Sequence, residues 1–256
     1  MSQVVTPDDL VEANRWFNDQ TGASANPTNQ RDGPARGQQT PREPKIHLVI
    51  GDSIGRDAGL KSRFKRDLVI DCCEGGLTLP KMMENLDRDL GRWERAAVAW
   101  GLERGTIIIW CTANDVYSRW SGMGTLDPDT LDRATGHLKR IIEKAAPRAT
   151  SLVILGPLAR PAGELEGNAW EKTAAFHLER RTLKMTREVA EKLGITINYV
   201  TLGRGLTKKR EGRHAITSAC YDWYRQDGVH LNSEGYAKLA DALHLPVWLR
   251  ISGQDK

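Results

Sequence analysis

The chain has 256 residues, 39% of them apolar and 27% charged, with a formal net charge of +4 and a pI near 8.9. That composition suits one large α/β domain with a tail, and the basic bias is too mild to demand a nucleic-acid or membrane partner. No apolar run approaches the roughly 18 residues of a membrane helix, and the N-terminus (MSQVVTPDDLVEANRWFNDQ) lacks the basic-then-apolar pattern of a secretory signal. A cytoplasmic or intracellular location is the expectation. The four cysteines, Cys72, Cys73, Cys111 and Cys220, show no metal-type spacing and fit buried, reduced thiols.

Taken in chain order, residues 7–18 place Leu10, Val11, Ala13 and Phe17 loosely on one face, which suits a short helix. Residues 21–44 (TGASANPTNQRDGPARGQQTPREP) are rich in Gly, Pro, Asn, Gln and Arg, without apolar period, and read as a flexible linker. The predicted organisation is a flexible segment 1–44 followed by a folded domain 45–256. Such a linker hints at a longer multidomain chain.

From Lys45 short apolar runs alternate with helical stretches. The runs are 46–50 (IHLVI), 67–73 (DLVIDCC), 106–112 (TIIIWCT), 151–156 (SLVILG) and 195–202 (ITINYVTL). Their density of Ile and Val suits strands covered on both faces. Helices are predicted within 80–100 (one or two), over 128–145, over 170–193, and over 233–243 with Ser233 as N-cap. Strand–helix–strand alternation implies right-handed crossovers, hence a three-layer α/β/α sandwich on a parallel, about five-stranded sheet. Ligands of such sheets bind at the carboxyl ends of the strands.

Polar groups gather at those ends. The first run stops at Gly51-Asp52-Ser53, the second at Cys73-Glu74-Gly75-Gly76-Leu77-Thr78, and the third at Cys111-Thr112-Ala113-Asn114-Asp115. Asp227-Gly228-Val229-His230 stands just before the last helix. With GDSI at Ser53, a glycine at Gly76, TAND at Asn114 and DGVH at Asp227 and His230, the sequence resembles the SGNH/GDSL hydrolases over about residues 45–245. Each block alone is weak; four in order make a strong joint signal. The resemblance implies the flavodoxin-like strand order 2-1-3-4-5 and hydrolysis of a carboxylic ester through an acyl-serine intermediate. Ser53 would be the nucleophile, His230 the base and then acid, and Asp227 the group orienting His230. The oxyanion would be held by the Ser53 N–H, the Gly76 N–H and the Asn114 side-chain amide. Gly76 suits a backbone donor that must approach substrate closely. Thr112 departs from the family's usual glycine and would reshape the loop before Asn114. No cofactor or metal is implied, and no cluster of metal ligands is seen.

Blander roles stand beside these. Ser53 could cap a helix starting near Arg56, a role compatible with attack. Asp52 reads first as a structural turn acid, and Asp115 as an anchor for the Asn114 loop. Asp52, Thr112, Tyr117 and Trp120 are candidate substrate-binding residues at the rim; Tyr117, Trp120 and Met123 equally suit a lid or plain packing. His47, His137, His177, His214 and His244 are read as ordinary. The basic residues of helix 177–192 alternate with acids and suit a solvated face. Lys208, Lys209, Arg210 and Arg213, in a predicted loop over 203–214, could touch phosphates, but lack interleaved aromatics. GDSIGRDAGLKS does not fit a phosphate-binding loop.

The expected partner is a small-molecule or lipid ester, small acyl groups suiting the short spacing between blocks; oligomeric state is left open. The alternative is a catalytically idle domain of the same fold that binds nucleic acid or protein within a larger polyprotein, as in some retrotransposons. An idle domain would have no need of an intact Ser, Asn, Asp and His set.

Overall fold

Five strands form one parallel sheet in the order β2-β1-β3-β4-β5. They are β1 Lys45–Ile50, β2 Leu68–Asp71, β3 Glu103–Trp110, β4 Ser151–Leu155 and β5 Ile197–Val200. The predicted sheet and strand order are those observed. In this computed structural model the described residues are 43–64, 66–110, 113–117, 127–164 and 166–243. The chain divides into two units, Met1–Glu43 and Pro44–Lys256, and all of these strands belong to the second. The helix expected over 7–18 and the linker up to Arg42 lie outside the described residues, as do Cys111, Thr112, Trp120, Met123 and His244.

Period-2 alternation divides the strand side chains between two layers. Ile46, Leu48, Ile50, Ile107, Ile109, Leu152 and Ile154 face α3 (Leu79–Trp100), α4 (Pro128–Ala145) and α5 (Ala174–Leu193). Val49, Ile108, Trp110, Val153 and Leu155 face the other way. There they meet Ile54 of α1 (Ser53–Asp57), Leu60 of α2 (Leu60–Arg63) and Leu239 of α6 (Ser233–Leu243). Each long helix starts and stops where its sequence dictates. Pro80 and Pro128 lie in the first turns of α3 and α4, where no intrahelical N–H bond is lost. Asp127 caps α4 through the N–H groups of Asp129 and Thr130. Gly101 and Gly194 end α3 and α5 in the left-handed conformation. Leu86, Leu90 and Trp93 of α3 are fully buried, each worth about 1.5–3 kcal/mol of transfer free energy. The Trp93 indole N–H also bonds Ile46 O at 2.9 Å, tying α3 to β1.

Several boundaries depart from the sequence expectation. The stretch 80–100 is one helix. The second strand ends at Asp71, because the Asp71 carboxylate turns the chain by accepting the Cys73 N–H at 2.9 Å. Cys72 and Cys73 are consequently half-buried; Cys220 is buried, and all three are free. Burial pushes the Cys72 thiol up to about 12, and the Cys73 thiol upward as well. The helix expected from Trp170 is interrupted at Thr173, whose hydroxyl accepts the Phe176 N–H and starts α5. The basic segment 203–214 is not a plain loop: Lys208–Arg210 (β6) pairs antiparallel with Arg213–Ala215 (β7). Glu211 and Gly212 turn the hairpin at φ 48° and 81°, as a two-residue loop requires. His47 is buried and accepts the Thr106 N–H on Nδ1 at 2.9 Å. Among the described residues no helix is long and apolar enough to cross a membrane.

Candidate active site

The chain leaves β1 through Gly51, where a Cβ would lie 2.9 Å from Trp110 Cβ and 3.3 Å from Cys73 Sγ. Only glycine lets three strand ends crowd together here. Asp52 follows, buried, and its Oδ1 accepts the Ile54 N–H at 2.9 Å. Asp52, and not Ser53, is therefore the cap; Ser53 is the first residue of α1. That position turns Ser53 out of the sheet end, half-buried. Its Oγ lies 2.9 Å from His230 Nε2, 177 positions later in the chain.

His230 is carried by the turn before α6. Asp227 Oδ1 accepts the N–H groups of Val229 and His230, each at 2.9 Å, which folds the turn. Its Oδ2 lies 2.7 Å from His230 Nδ1. Desolvation raises the Asp227 carboxyl, but the hydrogen bonds from the His230 ring and the His230 and Val229 amides outweigh it, holding the group down at about 2. Asp227 is thus an ionised acceptor at neutral pH. His230 Nδ1 must then carry the hydrogen, which leaves Nε2 free to accept from the Ser53 hydroxyl.

Gly76 and Asn114 follow β2 and β3, the two strands that flank β1. Gly76 sits after β2 at φ +72°. No atom lies within 4 Å of where its Cβ would be, so the backbone angle, rather than crowding, calls for glycine. The N–H groups of Ser53 and Gly76 find no acceptor among the described residues. Asn114 follows β3 in a short 3-10 turn, Ala113–Asp115. Its Nδ2 donates to Leu77 O at 2.8 Å and to Asp52 Oδ2 at 3.3 Å. Asp115 accepts the Leu79 N–H at 3.0 Å, anchoring that turn to the start of α3 as expected.

Sequence reasoning missed Arg160. It follows β4 in Gly156-Pro157-Leu158-Ala159-Arg160, is buried, and donates from Nη2 to Asn114 Oδ1 at 2.7 Å. Nη2 also lies 3.7 Å from Asp52 Oδ2. Burial pushes the Asp52 carboxyl up and the Arg160 guanidinium down; each one's opposite charge is the strongest force resisting its shift. The available signal was an arginine among apolar residues at the end of a fourth strand. Glu164 was missed as well. Buried, it accepts the Tyr117 hydroxyl at 2.6 Å and the Ala174 N–H at 2.9 Å. The hydroxyl of Tyr117 is therefore turned to Glu164, while the Arg160 guanidinium lies over its ring, 5.5 Å from the centroid.

Contacts thus join Ser53, His230 and Asp227 in one set and Asp52, Asn114 and Arg160 in another, with Gly76 next to Leu77, whose carbonyl Asn114 bonds, and Tyr117 against Arg160. Thr112 and Trp120 lie outside the described residues. Among the described residues no group of three or more His, Cys, Asp or Glu side chains could hold a metal ion.

The family model for the GDSL-like lipase/acylhydrolases matches residues 48–243. The chain belongs to this family. Solved structures with the same fold include an acetylxylan esterase from Geobacillus stearothermophilus, with 16% identity, 82% of this chain and 95% of that one covered, and a TM-score of 0.51. A GDSL-like lipase from Bacteroides thetaiotaomicron is similar at 14% identity, with 80% and 88% covered and a TM-score of 0.50. No curated protein matches the chain significantly in sequence. The matched residues include Ser53, Gly76, Asn114, Asp227 and His230.

Proposed function

We propose that this chain is a serine esterase in which Ser53, His230 and Asp227 carry the chemistry. The reading rests on one observation: Ser53 Oγ, His230 and Asp227 are linked by contacts of 2.9 and 2.7 Å through the two nitrogens of one imidazole. Ser53 Oγ attacks the ester carbonyl carbon as its proton passes to His230 Nε2. Asp227 stabilises the imidazolium through Nδ1–H. The tetrahedral oxyanion takes the open N–H groups of Ser53 and Gly76 and one hydrogen of Asn114 Nδ2, the weakly engaged one at 3.3 Å from Asp52. Collapse breaks the C–O bond, and the leaving alkoxide takes the proton from His230. Water then repeats the sequence on the acyl-serine.

Small acyl esters, acetyl first, are the substrates this reading favours. The blocks are closely spaced in sequence, and an acetylxylan esterase shares the fold. Turnover of p-nitrophenyl esters of increasing acyl length, wild type beside Ser53→Ala, tests it. Activity that falls with chain length and vanishes in the variant is expected. Equal rates in both proteins would remove Ser53 from the mechanism.

A second reading, binding of nucleic acid, draws on the hairpin. Lys208 and Lys238 place their ammonium groups 4.1 and 4.7 Å from the Trp223 ring centroid, next to Lys209, Arg210 and Arg213. Binding of single-stranded nucleic acid that weakens steeply with salt is the expected sign; no binding at low salt would dismiss it.

A further inference from the structure

We infer that Arg160 is a positioning residue for the oxyanion site, acting through Asn114 and Asp52. The inference rests on the esterase reading above. An asparagine amide presents an acceptor on one side and donors on the other, and its value to an oxyanion depends on which side faces the reacting carbon. Arg160 can only donate. Its Nη2, 2.7 Å from Asn114, therefore selects Oδ1 and turns Nδ2 towards Leu77 O and Asp52, the residue next to Ser53. A flipped amide would set an N–H against the guanidinium and a carbonyl oxygen against both the Asp52 carboxylate and the substrate oxyanion.

Arg160 also answers a second problem. Asp52 is buried beside the residue proposed as nucleophile and touches the amide proposed to hold the oxyanion. A lone carboxylate there would oppose the negative charge that grows on the substrate. The guanidinium, 3.7 Å from Asp52 Oδ2 and itself buried, balances it. The groups that face Asp52 are Arg160 after β4, His230 before α6, the Cys73 thiol after β2, Tyr236 of α6 and the amide of Asn114. Of these, only Arg160 is a permanent cation. The arginine thus holds donors and charge in place before substrate arrives, as oxyanion stabilisation requires.

The test compares kcat and KM of wild type, Arg160→Gln and Arg160→Lys on p-nitrophenyl acetate across pH 6–9, with Ser53→Ala as the background. Arg160→Gln is expected to lower kcat about tenfold or more, with KM changed less than about twofold, since the loss falls on the transition state. In that variant Asp52 lacks its countercharge. The loss is therefore expected on kcat and not on KM, whereas a merely structural role lowers stability or moves both. Arg160→Lys keeps the charge without the planar fork and is expected to fall between the two; if Arg160→Gln does not fold, a kcat loss at steady KM in Arg160→Lys decides the matter. Folded variants with wild-type kcat at every pH would overturn the role of Arg160 and leave the esterase reading standing. A wild type no faster than Ser53→Ala would overturn both.

Discussion

Asn114 makes hydrogen bonds in three directions, to Leu77 O, Asp52 and Arg160, and every one fixes which way its amide is turned. Losing one oxyanion donor typically costs about 2.7–4 kcal/mol of transition-state stabilisation. Asn114→Ala is therefore expected to lower kcat by about a hundredfold or more with little change in KM, measured on p-nitrophenyl acetate; unchanged turnover would remove Asn114 from the mechanism. The residues of this site differ in how readily the sequence gives them away. Ser53, Asn114, Asp227 and His230 are legible because each sits in a short block whose neighbours set its local turn: Asp52 caps α1, and Asp227 folds the His230 loop. Arg160 is not legible, because it belongs to no block and its partner Asn114 lies 46 positions away. Gly76 was expected to be a glycine so that its N–H could approach substrate closely; its left-handed φ is a second, backbone reason for glycine there.

Among the elements, α5 carries a charge problem of its own. Glu179 is buried in this helix, and its Oε2 has no hydrogen-bond partner among the described residues. Desolvation raises its carboxyl from 4.5 to about 7, against the N–H groups of Gly203 and Leu202. An acid whose folded pKa is raised keeps its proton longer in the folded state. Stability is then lost as pH climbs from about 4.5 to about 7, and the full cost, about 3 kcal/mol at most, stands above that. Glu179→Gln is accordingly expected to raise the melting temperature by a few degrees at pH 8 and to give no gain at pH 5, read by differential scanning fluorimetry. A gain independent of pH would contradict this. The helical spacing of the buried Leu178, Met185 and Val189 does not reveal Glu179, because a buried carboxylate on an apolar face breaks the pattern that locates the face. Element ends were hidden for a related reason. Side-chain turns set them at Asp71, where the apolar run continues past the strand's end, and at Thr173, where a short 3-10 turn precedes the helix.

For the molecule as a whole, the sheet order followed from the family blocks, and the layers from alternating burial along β1, β3 and β4. Both apolar clusters that enclose the sheet lie within the unit Pro44–Lys256. We propose that residues 45–256 are the catalytic domain and that residues 1–44 are a flexible linker. A fragment starting at Pro44 is expected to unfold in one cooperative transition and to keep the kcat of the full chain on p-nitrophenyl acetate, within about twofold; a fragment that melts without a transition would refute the boundary. The most direct test of the central claim is to quench the full chain within the first turnover of p-nitrophenyl acetate and map the acetyl group by peptide mass. The account predicts one acetyl group on the peptide containing Ser53, absent from Ser53→Ala. Acetyl on another residue, or the same label in the variant, would contradict it.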